Sequence, residues 1–509
     1  MRVGFYFGLG HLLLDFGRKN NLNLWMRFLY FTLFILEFSL VTHAQLNIQD
    51  ALRQLQTDPT LKGSQWSVCA LDMETGDTIA QWNPDLALPG ASITKLFSTA
   101  AALATLGPDY KATTKIYMDG PLKNGILNGN VWIVGGGDVS LGSRYFHEPG
   151  TEFQFLDQWV LELKKIGIQY ITGSIIADAE AFGYESCPIG WERADMGNYY
   201  GCGAYGLNFF DNTLKLTFKT GAPGTLLQLQ SVYPNDLSYK LTIEAKAASI
   251  NNDQSFVHGI PFDVDRKITG SLPAHRNQFV VKASMPDPEK LMAQLFYESL
   301  QKNGIRVDGG PRSKRLSKQI LDPKFATFLF ENKGKTVKDV VFWTNQRSVN
   351  LYAEGLLRQV GYHRYGFGSY ENGLKVLDSL NRSWAVGPVQ IVDGSGLSKA
   401  NNISARQFVN LLHVQINTDY FPSFYGSLPI AGLSGTVKSL CAGQIGAGRI
   451  HAKSGSIDGI KAYAGYVESL EGHMICFAII ANHSTLSGTQ LSKKMEPLLN
   501  ALVSSVQPE

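Results

Sequence analysis

Residues 89–103 read Pro-Gly-Ala-Ser-Ile-Thr-Lys-Leu-Phe-Ser-Thr-Ala-Ala-Ala-Leu. Pro89-Gly90 closes the preceding unit. Leu96, Phe97, Ala100, Ala101 and Leu103 then recur at helical spacing, so a helix begins near Ala91-Ser92. Ser92 and Lys95 stand three apart at that start. Residues i and i+3 share a helix face, so the amine can reach the hydroxyl. The helix N-terminus also offers unpaired N–H groups and a positive dipole end, which suit a developing oxyanion. The spacing alone is weak evidence. Ser299-Leu300-Gln301-Lys302 repeats it at the end of an amphipathic helix with the apolar face Leu291, Met292, Leu295, Phe296 and Leu300, where it reads as a solvated edge.

A serine/lysine acyl-transfer site needs two further elements. One is a polar Ser-x-Asn that moves a proton and holds an amide. The other is Lys-[Thr/Ser]-Gly on a strand forming the opposite wall. The first is offered by Ser348-Val349-Asn350, with Ser249-Ile250-Asn251 and Ser379-Leu380-Asn381 as competitors. The second is offered by Lys453-Ser454-Gly455, followed by Ser456 and a strand run through Tyr463-Ala464-Gly465-Tyr466. Its competitor Lys219-Thr220-Gly221 runs into Ala222-Pro223, which breaks a strand, and precedes every Ser-x-Asn. Each element alone is weak. Together, in order and with fitting local structure, they outweigh chance.

Around these motifs the chain falls into zones. Trp66-Ser67-Val68-Cys69-Ala70-Leu71 and Thr78-Ile79-Ala80-Gln81-Trp82 read as a hairpin about the turn Glu74–Asp77. From about 113 to 285 short strands alternate with Gly turns, with one helical stretch at 152–166. Helical signals return at 288–303, 337–360 and 370–381. Two strong strands, 460–467 and 474–481, precede a last helix near 491–503, and they could share a sheet with the N-terminal hairpin. The 509 residues are 44% hydrophobic and 17% charged, which excludes a disordered chain or a disulfide-dense miniprotein. A net charge of +3 lacks the basic excess of a nucleic-acid binder.

Phe28–Val41 is apolar apart from Thr32, Glu37 and Ser39, follows Arg27, and ends in Thr42-His43-Ala44. It reads as an export signal over 1–44 with cleavage before Gln45 and a true start at Met26. Export would make the protein periplasmic. An uncleaved run would instead leave it loosely associated with a membrane. An oxidising compartment permits disulfides. Cys69 and Cys476 sit in apolar strand runs, whereas Cys187 and Cys202 bracket a loop and are the candidate pair, the alternative being free thiols. No Cys/His spacing resembles a zinc site, so neither metal nor cofactor is expected.

With these motifs in place, the chain resembles the low-molecular-mass penicillin-binding proteins of the D-Ala-D-Ala carboxypeptidase type, specifically the penicillin-binding protein 4 class of peptidase family S13. The resemblance extends from about residue 50 to 500. It includes Val134-Gly135-Gly136-Gly137-Asp138, Gly173-Ser174-Ile175-Ile176-Ala177-Asp178, Gly190-Trp191-Glu192, Gly206-Leu207-Asn208-Phe209-Phe210-Asp211-Asn212 and Asp393-Gly394-Ser395-Gly396-Leu397-Ser398. Ser454 and Ser456 replace the family's threonines and keep the hydroxyls.

The resemblance implies an α+β fold of the serine β-lactamase/DD-peptidase type, an antiparallel sheet flanked by helices with nested β-rich inserts. The catalytic domain would comprise 45–112 and 286–509. One insert would comprise 113–183 and 267–285, and a second, nested in it, 184–266. By the same resemblance Ser92 is the nucleophile and Lys95 its base, made partly neutral by burial and by Lys453. Ser348 passes a proton to the leaving amine, and Asn350 holds the substrate amide. Lys453, Ser454 and Ser456, with Gly455 between the two hydroxyls, bind the terminal carboxylate. Asp178 meets a free amine of the peptidoglycan side chain. The activity would be that of a D-Ala-D-Ala carboxypeptidase, a DD-endopeptidase or both, acting on peptidoglycan stem peptides and cross-links; the partners would be peptidoglycan peptides ending in D-Ala-D-Ala, with β-lactams as covalent inhibitors. A β-lactamase and a non-catalytic penicillin-binding module remain the alternatives.

Overall fold

The computed structural model describes residues 47–505, so the expected export signal and the Met26 start lie outside the described residues. The central sheet has five antiparallel strands: β1 (Gln65–Asp72), β2 (Thr78–Trp82), β3 (Ile450–Ile457), β4 (Ile460–Glu468) and β5 (Met474–Asn482), in the order β3-β4-β5-β1-β2. The hairpin and the last strands thus share one sheet, as their sequences suggested. Val68 faces Ile479 and Ala70 faces Phe477 across β1 and β5.

Both faces of this sheet are covered, which is why β5 reads as an unbroken apolar run. Its side chains alternate between two cores. Cys476, Ala478 and Ile480 point to one side, with Ala462 and Ala464 of β4. These small residues admit α1 (Lys95–Leu106) and α4 (Ala405–Gln415), whose Phe97 and Phe408 meet edge to face at 5.3 Å. Ile475, Phe477, Ile479 and Ala481 point to the other side, against Leu491, Met495, Leu498 and Leu502 of α5 (Gly488–Val503). Burying a large aliphatic side chain contributes ~1.5–3 kcal/mol, so this double-sided core anchors the wall that carries the third motif.

A helix, Ile48–Thr57, precedes β1, and between β2 and β3 lie the insert and, apart from α5, the other α-helices. A mixed five-stranded sheet runs 311–313, 175–178, 131–135, 111–119, 326–336. Smaller sheets occupy 213–284. Two expected boundaries move. The insert does not end at 285: Arg306–Val307 and Pro311–Ser313 pair with Tyr170–Ile171 and Ile175–Ala177, and Ala326–Thr336 pairs with 111–119. The helix Pro288–Lys302 buries Leu291, Met292, Phe296 and Leu300 in the insert's own core. Its helical texture hid its membership, because periodicity reports that a face is buried and not against what. The inner boundary at 266 falls within the strand Asp265–Pro273.

No disulfide forms among the described residues. Cys187 Sγ faces the Gly201 carbonyl at 3.9 Å and Cys202 Sγ the Asp211 carbonyl at 3.5 Å. No helix among the described residues is long and apolar enough to cross a membrane.

Candidate active site

Ser92 sits in the single 3₁₀ turn Ala91–Thr94, which feeds directly into α1. Ala91 adopts φ +48°, a left-handed conformation rare outside glycine, so the chain turns sharply just before the serine. Lys95 is fully buried. Its Nζ donates to Ser92 Oγ at 2.8 Å, Asn350 Oδ1 at 2.6 Å and the Ser395 carbonyl at 2.6 Å. Burial pulls its pKa down to about 7, against the opposing pull of the Asp393 and Glu354 carboxylates. The expected contribution of Lys453 lies elsewhere: burial first, and the Lys95 charge second, push Lys453 itself well down.

The stretch 337–360 is two helices, not one. The first, α2 (Val337–Arg347), starts at a Thr336–Asp339 capping box and ends where Ser348 turns left-handed at φ +57°. The second, α3 (Asn350–Tyr365), starts at Asn350. The break lets both ends of the motif face the cleft. Lys453 Nζ donates to Ser348 Oγ at 2.9 Å. Asn350 is held at both ends of its amide, Oδ1 by Lys95 and Nδ2 by donation to the Tyr200 carbonyl at 2.8 Å. One of its two amide hydrogens remains for a ligand.

Lys453-Ser454-Gly455-Ser456 lies on β3, an edge strand whose free side runs along the Ser92 turn. Gly455 must lack a side chain: a Cβ would come 2.3 Å from the Gly90 carbonyl oxygen and 3.2 Å from the Ser92 nitrogen. Buried Lys453 also donates to the Ser454 carbonyl at 2.7 Å, and Ser454 Oγ to Thr436 Oγ1 at 2.7 Å. Ser456 is exposed at the cleft end of the strand.

The loop Asp393–Ser398 closes the floor. Gly396 lies against Ala91, where a Cβ would meet its carbonyl oxygen at 2.0 Å. Asp393 accepts from Trp191 Nε1 (2.9 Å), Gly396 N–H (2.8 Å), Ser398 N–H (2.7 Å) and Asn401 Nδ2 (2.8 Å). Fully buried Glu354, one turn after Asn350 on α3, accepts from the Gly394 and Ser395 N–H groups at 2.9 and 2.8 Å. It thereby fixes the backbone leading into the Ser395 carbonyl that holds Lys95, while Asp393 takes the N–H of the following Gly396. Burial and the Asp393 charge push the Glu354 carboxyl upward. Sequence reading missed Glu354, Tyr200 and Thr436. Only Glu354 carried a signal, its i+4 spacing from Asn350.

Ser92, Lys95, Ser348, Asn350, Lys453, Ser454, Gly455 and Ser456 therefore converge on one cleft. Asp178 does not join them. It ends a strand of the insert, pairs with Lys314 Nζ at 2.8 Å and caps the Glu180 N–H at 2.9 Å. No hydrogen bond or ion pair links it to Ser92, Ser348 or Lys453. The competing motifs also stay apart: Ser299 and Lys302 end the insert helix Pro288–Lys302, and Ser379–Asn381 lies inside the helix Tyr370–Ser383. Among the described residues, no cluster of three or more His, Cys, Asp or Glu could hold a metal ion.

Comparison with known proteins bears on the family and the fold. Residues 48–502 match the D-Ala-D-Ala carboxypeptidase 3 (S13) family. The chain is 26% identical over 450 residues to a D-alanyl-D-alanine carboxypeptidase of Actinomadura sp. strain R39, covering 86% of this chain and 81% of that one. It is 23% identical over 471 residues to D-alanyl-D-alanine carboxypeptidase DacB of Haemophilus influenzae, covering 91% and 93%. The crystal structure of penicillin-binding protein 4 from H. influenzae superposes with TM-score 0.75 at 21% identity, over 90% of this chain and 98% of that one. The same protein complexed with a β-lactam superposes with TM-score 0.70. With a split antiparallel sheet, a Ser92 hydroxyl hydrogen-bonded to a buried Lys95 and a family match across nearly its whole length, the chain belongs to the S13 family of D-Ala-D-Ala carboxypeptidases, which are serine peptidases.

Proposed function

We propose that this protein cleaves the bond after the penultimate D-alanine of peptidoglycan stem peptides through an acyl-enzyme on Ser92, and that penicillins acylate the same hydroxyl. One observation carries the reading: the hydrogen-bond set of Lys95. A neutral amine has two N–H groups and one lone pair. Asn350 Oδ1 and the Ser395 carbonyl can only accept, so they take both N–H groups. The lone pair is left for the Ser92 hydroxyl, 2.8 Å away. A pKa of about 7 makes that neutral form abundant at physiological pH.

In acylation the Ser92 proton passes to Lys95 as Oγ bonds to the carbonyl carbon. The oxyanion is received by the backbone N–H groups of Ser92 and Ser456, brought close by the missing side chain of Gly455. The C–N bond then breaks, and the proton taken by Lys95 is passed to the departing amine by way of the Ser348 hydroxyl, which gives one proton as it takes another, so Lys95 is neutral again. Water attacks the ester, its proton going to the neutral Lys95 and from there to Ser92 Oγ as the ester C–O bond breaks, and the shortened peptide is released. Lys453, Ser454 and Ser456 hold the terminal carboxylate. A carboxylate arriving at Lys453 favours its charged form and, by repulsion, the neutral form of Lys95. The remaining Asn350 amide hydrogen holds the substrate backbone.

Recognition of a free amine on the substrate side chain falls to Asp195 rather than Asp178, whose charge Lys314 neutralises. Asp195 is half-buried and accepts from Tyr200 Oη at 3.1 Å, and Tyr200 also holds Asn350. The reaction would take place in the periplasm, reached through the apolar segment 28–41. N-terminal sequencing of the purified protein would then begin at Gln45. The test of the reading is incubation with a pentapeptide ending in D-Ala-D-Ala: wild type releases D-Ala and Ser92→Ala does not. Equal release by both, or release by neither, would refute it.

A further inference from the structure

The insert touches the catalytic helices at a place where its backbone is unusual. Phe210, Asp211 and Asn212 follow one another with φ of +51°, +56° and +47°, a left-handed run without a glycine. Non-glycine residues adopt that conformation singly, and three in a row persist only where the surroundings impose it, as they do at functional sites. Asn212 shows how the turn is held. Its Oδ1 accepts from the Phe209 N–H at 3.2 Å, and its Nδ2 donates to the Gly203 carbonyl and to Asn208 Oδ1, both at 2.9 Å.

What the turn presents is the buried carboxylate of Asp211. Its Oδ1 accepts from Ser143 Oγ at 2.6 Å and from Tyr352 Oη at 3.4 Å, and its Oδ2 faces Arg144 Nε at 3.5 Å. Ser143 and Tyr352 are fully buried and hydrogen-bonded to each other. Ser143 and Arg144 belong to the insert, whereas Tyr352 stands in the first turn of α3, two residues after Asn350. Asp211, Arg144 and Tyr200 border, with Ser348 and Asn350, one cavity of ≈210 Å³.

The consequence is rotational. At ~100° per residue, Tyr352 leaves α3 on the side opposite Asn350, and Glu354 leaves on the same side as Asn350. Glu354 is tied to the floor loop and Tyr352 to the insert, so the first turn of α3 is gripped from both sides and cannot roll. A roll of ~20° would displace an atom ~6 Å from the helix axis by ~2 Å, enough to end a hydrogen bond. Asn350 Oδ1 is such an atom, 2.6 Å from Lys95 Nζ. The backbone of Asp211 also reaches the other end of that amide: its carbonyl accepts from Cys202 Sγ at 3.5 Å, two residues on from the Tyr200 carbonyl that takes Asn350 Nδ2.

We propose that Asp211 is a positioning residue for the reaction, which through Tyr352 fixes the rotation of α3 and so aims Asn350 at Lys95. The inference rests on the function proposed above, in which Asn350 takes one N–H of neutral Lys95. It makes the insert a working part of the catalytic centre, with its strained turn as the point of contact.

The test follows Ser92 acylation by a fluorescent penicillin on the full chain, as a rate per site labelled at the end point, beside kcat and KM for the pentapeptide. Tyr352→Phe removes one hydroxyl and keeps the ring packed on Tyr145 and Phe146. Asp211→Ala removes the carboxylate. The acylation rate falls at least about tenfold in Asp211→Ala and about fivefold in Tyr352→Phe, and kcat falls while KM stays within about twofold. In an Asn350→Ala background neither change lowers the rate further, because the effect runs through Asn350. A contact that only stabilises the fold would lower the end point and leave the rate per labelled site alone, or would lower the rate equally in both backgrounds. Either result overturns the proposal, as does a Tyr352→Phe protein that matches wild type. Where Asp211→Ala does not fold, Tyr352→Phe decides between the same outcomes. Wild type that is labelled, with variants that are unaffected, overturns the positioning role alone. Wild type that is neither labelled nor releases D-Ala overturns the function on which it rests.

Discussion

The protonation of Lys95 sets the pH dependence of acylation, and the structure supplies the size of the effect. With a pKa of about 7, the neutral fraction is ~1% at pH 5 and ~90% at pH 8, so the second-order rate of Ser92 acylation rises ~90-fold across that interval and then levels off. A lysine at its ordinary value near ~10.4 would gain ~1000-fold over the same three pH units and continue to climb. The assay is the rate of labelling by a fluorescent penicillin at subsaturating concentration, sampled from pH 5 to 9 and read on denaturing gels. Labelling that still rises tenfold per pH unit beyond pH 8.5, or that is flat throughout, would refute the argument. Stability gives an independent check. Between about 7 and 10.5 the unfolded chain holds the Lys95 proton and the folded chain does not, so folding becomes more favourable as pH rises. Wild type should therefore gain on Lys95→Met by up to ~1.4 kcal/mol per pH unit above pH 7.5, measured by urea denaturation.

Four further outcomes follow from other contacts. Gly455→Ala forces a Cβ against the Gly90 carbonyl; penicillin labelling should fall by about 100-fold or more and the melting temperature should drop, measured on the same samples. Glu354→Gln removes the acceptor for one of the Gly394 and Ser395 N–H groups; an unpaired buried donor costs ~1–3 kcal/mol, and kcat should fall more than KM rises as Lys95 loses its fixed acceptor. Asp178→Asn breaks a mostly buried pair with Lys314, which keeps Glu180 as a partner, and should cost less than the ~3–5 kcal/mol of an orphaned buried charge in a denaturation curve, without changing the preference between substrates with free and acetylated side-chain amines. Asp195→Asn should do the reverse, raising KM for the free-amine substrate and leaving the acetylated one alone. A result in which Asp178→Asn shifts that preference would restore it to the site.

Much of the site was legible because its chemistry is local. Ser92 and Lys95 are tied by three residues of helix, and Lys453 to Ser456 by one strand, so spacing alone carries the geometry. The central sheet was legible for a similar reason: a strand buried on both faces shows as a continuous apolar run, as in β5. What escaped lay across the chain. Glu354 acts on Ser395 through two backbone N–H groups 40 and 41 residues away, and backbone groups leave no mark in a sequence. Asp178 looked like a reader of substrate because nothing in the sequence announces that Lys314, 136 residues later, takes its charge. The helix Pro288–Lys302 was assigned to the wrong domain because amphipathicity says only that one face is covered.

The sequence by itself determined which three short motifs meet and that strands from the two ends of the chain could share a sheet, and the resemblance those motifs carry implied the α+β class. The motifs and the strands are consequences of spacing and periodicity, which are written residue by residue. The tertiary structure alone decided that Lys95 titrates near neutrality, that a left-handed Ser348 breaks one apparent helix into two, and that Asp211 of the insert meets Tyr352 on α3. Each depends on burial or on close approach between distant segments. Desolvation and steric contact are properties of the space around a residue, and that space exists only once the chain has folded.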